Sequence, residues 1–190
     1  MNSSRNCELL ELYKSPQTVF TFNTVLMMCG AKDVASLVAK LNYNVRAGRL
    51  LNPRRGIYAK QNYKVEELCG QLYTPSYISL EYVLQRAGVV FQFDSSVTAV
   101  SYVSRTIEID GNTLQYHRVK NSILGATDGI ANYNGYSMAS PERAFLDVMY
   151  LNKEYYFDNL NPLQYSKIKA LLPLYGSKTL EKRVNLLFKK

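Results

Sequence analysis

The sequence has one histidine, three widely spaced cysteines and no tryptophan among its 190 residues. Cys7, Cys29 and Cys69 form no C-x-x-C pair, and their odd number does not suit a disulfide framework. These cysteines and the single histidine, His117, lack the close spacing in pairs that a zinc site usually shows. Cysteines used in this way are typical of a reducing compartment, so we predict a cytoplasmic protein.

Long hydrophobic runs are also missing. No window approaches the 18 or so apolar residues of a membrane span, and the first residues lack the apolar stretch of a signal peptide. We therefore expect no membrane partner.

The chain lacks the residue constellations of several enzyme classes. A serine or cysteine triad would depend entirely on His117, which lies in a β-rich segment. A nuclease core of the D…[DE]-x-K type is excluded, because no acidic residue is followed two places later by lysine. No G-x-x-x-x-G-K phosphate loop occurs either. The only Gly-Ser pair, Gly176-Ser177, is not followed by the paired carboxylates of a nucleotidyltransferase. We predict a protein that is not an enzyme and that needs no cofactor and no metal.

Acidic residues are absent between Asp33 and Glu66, although the chain as a whole carries a net charge of +8. The first 60 residues hold nine Lys or Arg and three acids. The acid-free stretch contains Lys40, Arg46, Arg49, Arg54, Arg55, Lys60 and Lys64. Positive charge gathered in one short segment favours a polyanionic partner such as nucleic acid.

Three short helices and a hairpin are predicted in this basic region. The first helix stops at Ser15-Pro16, the second follows Thr21 as N-cap and closes at Gly30, and the third covers 33–47. The third helix is expected to turn Val34, Leu37, Val38, Leu41 and Val45 inward. Two strands, 49–51 and 57–59, are expected around a turn at 52–56. This order is typical of a winged helix-turn-helix, which we assign to residues 1–62.

The remaining residues, 63–190, predict a mixed α/β domain after a short linker at 61–64. A helix is expected at 65–73, and Ser79 and Ser140 are each expected to cap a helix, the second opening with Pro141. Strands are expected at 97–104, 105–109 and 114–119, with Asp110-Gly111 as a hairpin turn, and another helix from Asn161-Pro162 to about 172. Arg143 and Asp147, four apart, are expected to form a modest helical pair. The predicted fold class is α+β.

DNA contacts are predicted on the third helix and the hairpin, the elements that meet the major groove and the flanking phosphates in winged helices. The phosphate contacts are expected from Lys40, Arg46, Arg49, Arg54, Arg55 and Lys60. Ser36, Tyr43 and Asn44 are short or planar enough to contact base edges. The alternative is that the charges form an ordinary solvated face.

Three sequence strings occur in a specific order: R-R-G-I-Y-A-K at 54–60, T-P-S-Y-I-S-L-E at 74–81 and A-S-P-E-R-A-F-L-D-V-M-Y-L at 139–151. Together they resemble the AbiEi family of type IV antitoxins over nearly the whole chain. The resemblance implies a bacterial autorepressor whose winged helix binds inverted repeats in double-stranded operator DNA. It also implies a C-terminal antitoxin domain that counters a nucleotidyltransferase-like toxin without a stable complex.

Other functions remain open at this point. Sixteen tyrosines allow RNA or single-strand binding by aromatic stacking, although most lie beside apolar residues, as core tyrosines do. A stand-alone winged-helix regulator and a protein-interaction module, each without a cognate toxin, are the further alternatives.

Overall fold

The computed structural model of this chain describes residues 7–92 and 94–188. It shows a mixed α+β protein with two β-sheets, in agreement with the predicted fold class. In these two ranges no helix is both long enough and apolar enough to cross a membrane.

The N-terminal part contains three helices and a small antiparallel sheet. Its elements are α1 (Cys7–Lys14), β1 (Val19–Thr21), α2 (Phe22–Cys29), α3 (Val34–Arg46), β2 (Leu51–Arg54) and β3 (Ile57–Ala59). The strand order is β1-β3-β2, so β3 is central and β2 forms an edge.

Local hydrogen bonds define the ends of these helices where the sequence predicts them. The Thr21 side chain accepts from the Thr24 amide at 3.1 Å, and the Asp33 carboxylate accepts from the Ala35 amide at 3.0 Å. Gly30 ends α2 with a left-handed φ of 56°, a conformation that favours glycine. These short-range signals mark where α2 and α3 begin and where α2 ends.

Strands β1 and β3 of the small sheet are buried, and their side chains alternate between two cores. Phe20 and Tyr58 pack with the helices α1 to α3, in a cluster that also contains Leu12, Leu37 and Leu41. Their strand neighbours Val19, Ile57 and Ala59 belong instead to the large hydrophobic core of the following residues. Because side chains alternate along a strand, successive residues of β1 and β3 lie in two different cores.

The rest of the chain is built around a six-stranded mixed sheet of order β6-β7-β5-β4-β9-β8. Its elements are α4 (Val65–Leu72), β4 (Ser76–Ile78), α5 (Glu81–Arg86), β5 (Val97–Ser101), β6 (Arg105–Ile109), β7 (Asn112–Arg118), α6 (Asn121–Leu124), β8 (Ile130–Tyr133), β9 (Tyr136–Ala139), α7 (Pro141–Leu151), α8 (Tyr165–Leu171) and α9 (Lys178–Phe188), with a 3₁₀ helix at Leu172–Tyr175. The β4–β9 and β5–β7 pairs are parallel, and the others are antiparallel. The predicted Asp110-Gly111 hairpin joins β6 to β7, and the Ser140 hydroxyl caps α7 by accepting from the Arg143 amide at 3.2 Å.

Two helix starts differ from the sequence expectation. The prediction of Ser79 as a cap is wrong: Leu80 precedes α5 with a φ of 62°, and the Ser79 hydroxyl instead donates to Asp147 at 2.7 Å. The helix expected from Asn161 begins at Tyr165, because the Asn161 amide donates to the Asn159 side chain and holds a turn there.

Candidate nucleic-acid interface

The inward face of α3 is centred on Leu37, Leu41 and Asn44, all of which are buried. Val34 and Val38, which the sequence pattern places inward, are 49% and 36% exposed, so that part of the prediction is wrong. The helix is rotated relative to the expected stripe because Leu37 and Leu41 pack between Leu12 and the small sheet, a constraint that periodicity alone does not contain.

The opposite face of α3 is exposed and free of acidic residues. Its exposed residues are Ala35, Ala39, Asn42, Tyr43 and Arg46. Ser36 and Lys40, two of the predicted contacts, lie at the margin and are partly buried. Asn42 is therefore an exposed planar amide on this face that the sequence reasoning missed; a helical wheel centred on Leu37 and Leu41 would have found it.

Asn44 has a structural role and does not lie on the outer face of α3, where the sequence pattern placed it. Its amide nitrogen donates to the Lys40 carbonyl at 2.8 Å, and its side-chain oxygen accepts from the Arg49 guanidinium at 3.1 Å. Its backbone carbonyl accepts from the amides of Arg49 and Leu50. Asn44 thus holds the turn that ends α3, and its amide is not available to read a base edge.

This turn presents Arg49 next to the outer face of α3. The Arg49 guanidinium lies 5.4 Å from the ring centroid of Tyr43, within the range of a cation–π contact. The Arg49 carbonyl accepts from the Tyr13 hydroxyl, and Gln61 donates to the Gly48 carbonyl at 2.7 Å. Three of the predicted contacts, Tyr43, Arg46 and Arg49, therefore lie at the C-terminal end of α3 or in the turn that follows it.

The hairpin begins later than the sequence suggests. Residues 49 and 50 belong to the turn after α3, β2 runs from Leu51 to Arg54, and the connecting turn is Arg55-Gly56. Pro53 is accommodated inside β2 because this is an edge strand, where the missing N–H is not needed for a second ladder.

The hairpin turn is tied to the start of α2. Asn52 donates from its side-chain amide to the carbonyls of Arg54 and Ile57, at 2.9 and 2.6 Å. The Gly56 carbonyl accepts from the Phe22 amide at 2.8 Å, and Gly56 has a φ of 79°. Arg55 is consequently presented, exposed, on a well-anchored turn.

Lys60 does not join the other predicted phosphate contacts. Its ammonium donates to the carbonyls of Ser15 and Tyr13, at 2.6 and 3.3 Å, just beyond and within the last turn of α1. A cation is favoured there because the carbonyls at a helix C-terminus carry partial negative charge. The structure therefore accounts for Lys60 as a helix-capping residue.

Arg54 and Arg55, adjacent in sequence, lie in different surroundings. The Arg54 guanidinium donates to the Tyr73 hydroxyl at 3.3 Å, and Arg105 of the larger sheet donates to the same hydroxyl at 3.2 Å. Nothing in the sequence indicated Tyr73 and Arg105 as site residues, because they are 19 and 51 positions from Arg54. The outer face of α3, Arg49 and the hairpin form a basic surface. Through Arg54, Tyr73 and Arg105 this basic surface extends across the predicted domain boundary.

Among the described residues, no group of three or more His, Cys, Asp or Glu side chains could hold a metal ion. A cavity of about 500 Å³ lies between α5 and the β8–β9 hairpin and is lined mainly by apolar residues, with Arg86 and Ser140 among the polar ones. The Ser140 hydroxyl there is already used as the cap of α7.

Comparison with known proteins bears on the fold. The crystal structure of the RV2827C protein from Mycobacterium tuberculosis aligns with 97% of this chain and 76% of its own length, with a TM-score of 0.56 and 12% sequence identity. No family model matches the chain, and no curated protein is significantly similar to it. The structural likeness supports the α+β architecture.

Proposed function

We propose that this chain is a transcription regulator that binds double-stranded DNA through a winged helix-turn-helix. In this proposal α3 is the recognition helix and the β2–β3 hairpin is the wing. The observation that carries it is the outer face of α3, which is exposed, free of acidic residues and continuous with Arg49. A recognition helix enters the major groove with such a face, and a wing contacts the flanking backbone.

The proposed contacts divide into two groups by their chemistry. Lys40, Arg46, Arg49 and Arg55 carry charge for phosphates, which set the position of the protein on the duplex. Ser36, Asn42 and Tyr43 are the polar or planar groups at the face and margin of α3, and the amide of Asn42 suits a bidentate contact with adenine. DNA contact by each of these residues stays a prediction.

The test is the salt dependence of duplex binding. A labelled duplex from the region upstream of the coding sequence is titrated with protein at several salt concentrations. If four or five phosphates are contacted, log affinity should fall against log salt with a slope on the order of −4. A triple substitution, Arg46→Ala, Arg49→Ala and Arg55→Ala, should reduce the size of that slope by about 2 to 3.

A matched control removes the same charge elsewhere. Lys167, Lys169 and Lys178 are exposed on α8 and α9, and their replacement by alanine should leave the slope unchanged. Equal losses in the two triple variants would mean that net charge alone drives binding, and a wild-type protein without affinity for duplex DNA would refute the proposal. Stronger binding to single-stranded than to duplex probes would favour the stacking alternative.

We further propose that the protein is the autorepressor and antitoxin of a type IV, AbiE-like system in a bacterium. The support is the resemblance of residues 54–60, 74–81 and 139–151 to the AbiEi family. In this role the winged helix represses the operon, and the larger part of the chain counters a nucleotidyltransferase-like toxin without forming a stable complex with it.

The antitoxin role is tested by expressing the neighbouring gene with and without this chain. Growth arrest that is relieved by the wild type and also by the DNA-binding triple variant would place antitoxin activity outside the winged helix. Growth arrest without relief, or no arrest, would leave a stand-alone regulator.

A further inference from the structure

A groove of about 420 Å³ separates the hairpin from the larger sheet, and two arginines face each other across it. One wall is the edge strand β2, with Pro53 and Arg54, and the other is the edge strand β6, with Arg105 and Ile107. Tyr73, which directly follows α4, also lines the groove.

The two guanidiniums share one neutral partner. Arg54 and Arg105 both donate to the Tyr73 hydroxyl oxygen, and Arg54 also lies 5.6 Å from the centroid of the Tyr73 ring. Among the ion pairs of the described residues, none joins either arginine to a carboxylate. Like charges brought together without a counter-ion repel each other, so this arrangement is favourable for an added anion.

The Tyr73 hydroxyl has a proton to offer that anion. A hydroxyl accepts at two lone pairs and donates one proton, and in Tyr73 the two guanidiniums occupy the accepting positions. No acceptor for its proton is found among the described residues. An anion in the groove could therefore receive three hydrogen bonds, two from guanidiniums and one from the phenol.

The phenol is held in place by other aromatic rings. Tyr73 makes edge contacts with Tyr116, at 4.8 Å between centroids, and with Tyr102, at 6.5 Å. Tyr116 is buried and donates to the Cys69 carbonyl at 2.8 Å, so its position is fixed. Partial burial raises the pKa of Tyr73, but the hydrogen bonds and charges of Arg105 and Arg54 outweigh it and lower the pKa overall. The local potential is thus positive.

We propose that Arg54, Tyr73 and Arg105 bind a backbone phosphate of the same duplex that α3 contacts. This inference rests on the proposed function. Guanidinium groups match the geometry of phosphate oxygens, and Arg54 lies next to Arg55 on the hairpin, so the groove continues the basic surface of the winged helix. The larger part of the chain then takes part in DNA binding through Arg105.

The experiment compares Arg105→Ala, Arg105→Lys and Tyr73→Phe with wild type by duplex binding at several salt concentrations. Loss of one phosphate contact in Arg105→Ala should reduce the size of the salt slope by about 1 and weaken binding to a similar degree on operator and unrelated duplexes. Arg105→Lys keeps the slope but binds several-fold less tightly, because an ammonium lacks the planar fork. Tyr73→Phe also keeps the slope and weakens binding.

Lys169→Ala on α8 is the matched control, since it removes one exposed positive charge from another surface. If Arg105→Ala keeps the wild-type slope while Arg55→Ala reduces it, the groove is not a DNA site and the proposed function still stands. If the wild type binds no duplex, both proposals fail. A labelled glutamate-rich peptide is the second probe: loss of its binding in Arg105→Ala, with an unchanged duplex slope, would assign the groove to an acidic protein and overturn the phosphate proposal.

Discussion

The Arg143 guanidinium and the Asp147 carboxylate lie 3.6 Å apart, and neither side chain is exposed to solvent. The Asp147 carboxylate also accepts from the hydroxyls of Ser79 and Tyr175, each at 2.7 Å. Arg143 donates to the carbonyls of Asp128 and Ile123, at 2.9 and 2.7 Å. The pair therefore links α7 to β4, α6 and the 3₁₀ helix in the centre of the larger core.

Replacement of Asp147 by alanine is expected to lower the free energy of unfolding by about 3–5 kcal/mol, because it leaves a buried guanidinium without its counter-ion. Urea denaturation followed by circular dichroism measures this change. Glu154→Ala removes the same charge from an exposed position and should change the free energy by less than about 0.5 kcal/mol. A similarly small loss in Asp147→Ala would show that the pair contributes little.

A second buried carboxylate joins the small sheet to the larger part of the chain. Glu67 is 1% exposed, and one of its oxygens accepts from the Thr18 amide, the Thr18 hydroxyl and the Val19 amide. Glu67→Ala should cost about 1–3 kcal/mol of unfolding free energy, because buried donors lose their acceptor. It should also speed amide hydrogen exchange at Thr18 and Val19. Exchange that stays slow at both amides would contradict this role, and Glu181→Ala, at an exposed position, is the control.

The two asparagines of α3 should respond differently to replacement by alanine. Asn42→Ala changes an exposed side chain, so we expect stability within about 0.5 kcal/mol of wild type. If Asn42 contacts a base as proposed, its loss should also cost about 1–3 kcal/mol in discrimination between operator and altered sequences. Asn44→Ala removes the hydrogen bonds to Lys40 and Arg49 and should lower the unfolding free energy by about 1 kcal/mol. Thermal melts and binding to a set of single-base operator variants distinguish them; loss of base discrimination in Asn44→Ala alone, with full stability, would reverse the assignment.

Alkaline pH should destabilise the folded protein. Burial raises the pKa values of Tyr77, Tyr116 and Tyr175, and that of Tyr63 to about 12 through burial and its hydrogen bond to Asp110. A tyrosine whose pKa is higher when folded binds its proton more tightly in the folded state than in the unfolded state. Its stabilising contribution is complete below the unfolded pKa of about 10 and is lost as pH rises above it.

Absorbance at 295 nm and circular dichroism, recorded together against pH, check this expectation. A first group of tyrosines should ionise near pH 10 and a second only as the protein unfolds. Ionisation of all sixteen near pH 10 with the circular dichroism unchanged would show that burial does not shift the pKa values.

The sequence by itself determined the features that depend on neighbouring residues. Thr21, Asp33 and Ser140 each bond to a backbone amide two or three positions away, and Asp110-Gly111 joins adjacent strands. Such contacts close within a single turn, so residue type and spacing are enough to predict them. The α+β class follows from the same local signals.

Only the tertiary structure decided which side chains face the surface and which distant residues meet. Packing of Leu37 and Leu41 against the small sheet sets the rotation of α3, which buries Asn44 and exposes Asn42. The meeting of Arg54 with Arg105 at Tyr73, and the hydrogen bond from Ser79 to Asp147, join positions 51 and 68 residues apart in sequence. These contacts depend on how sheets and helices pack together, which local propensity and periodicity do not encode.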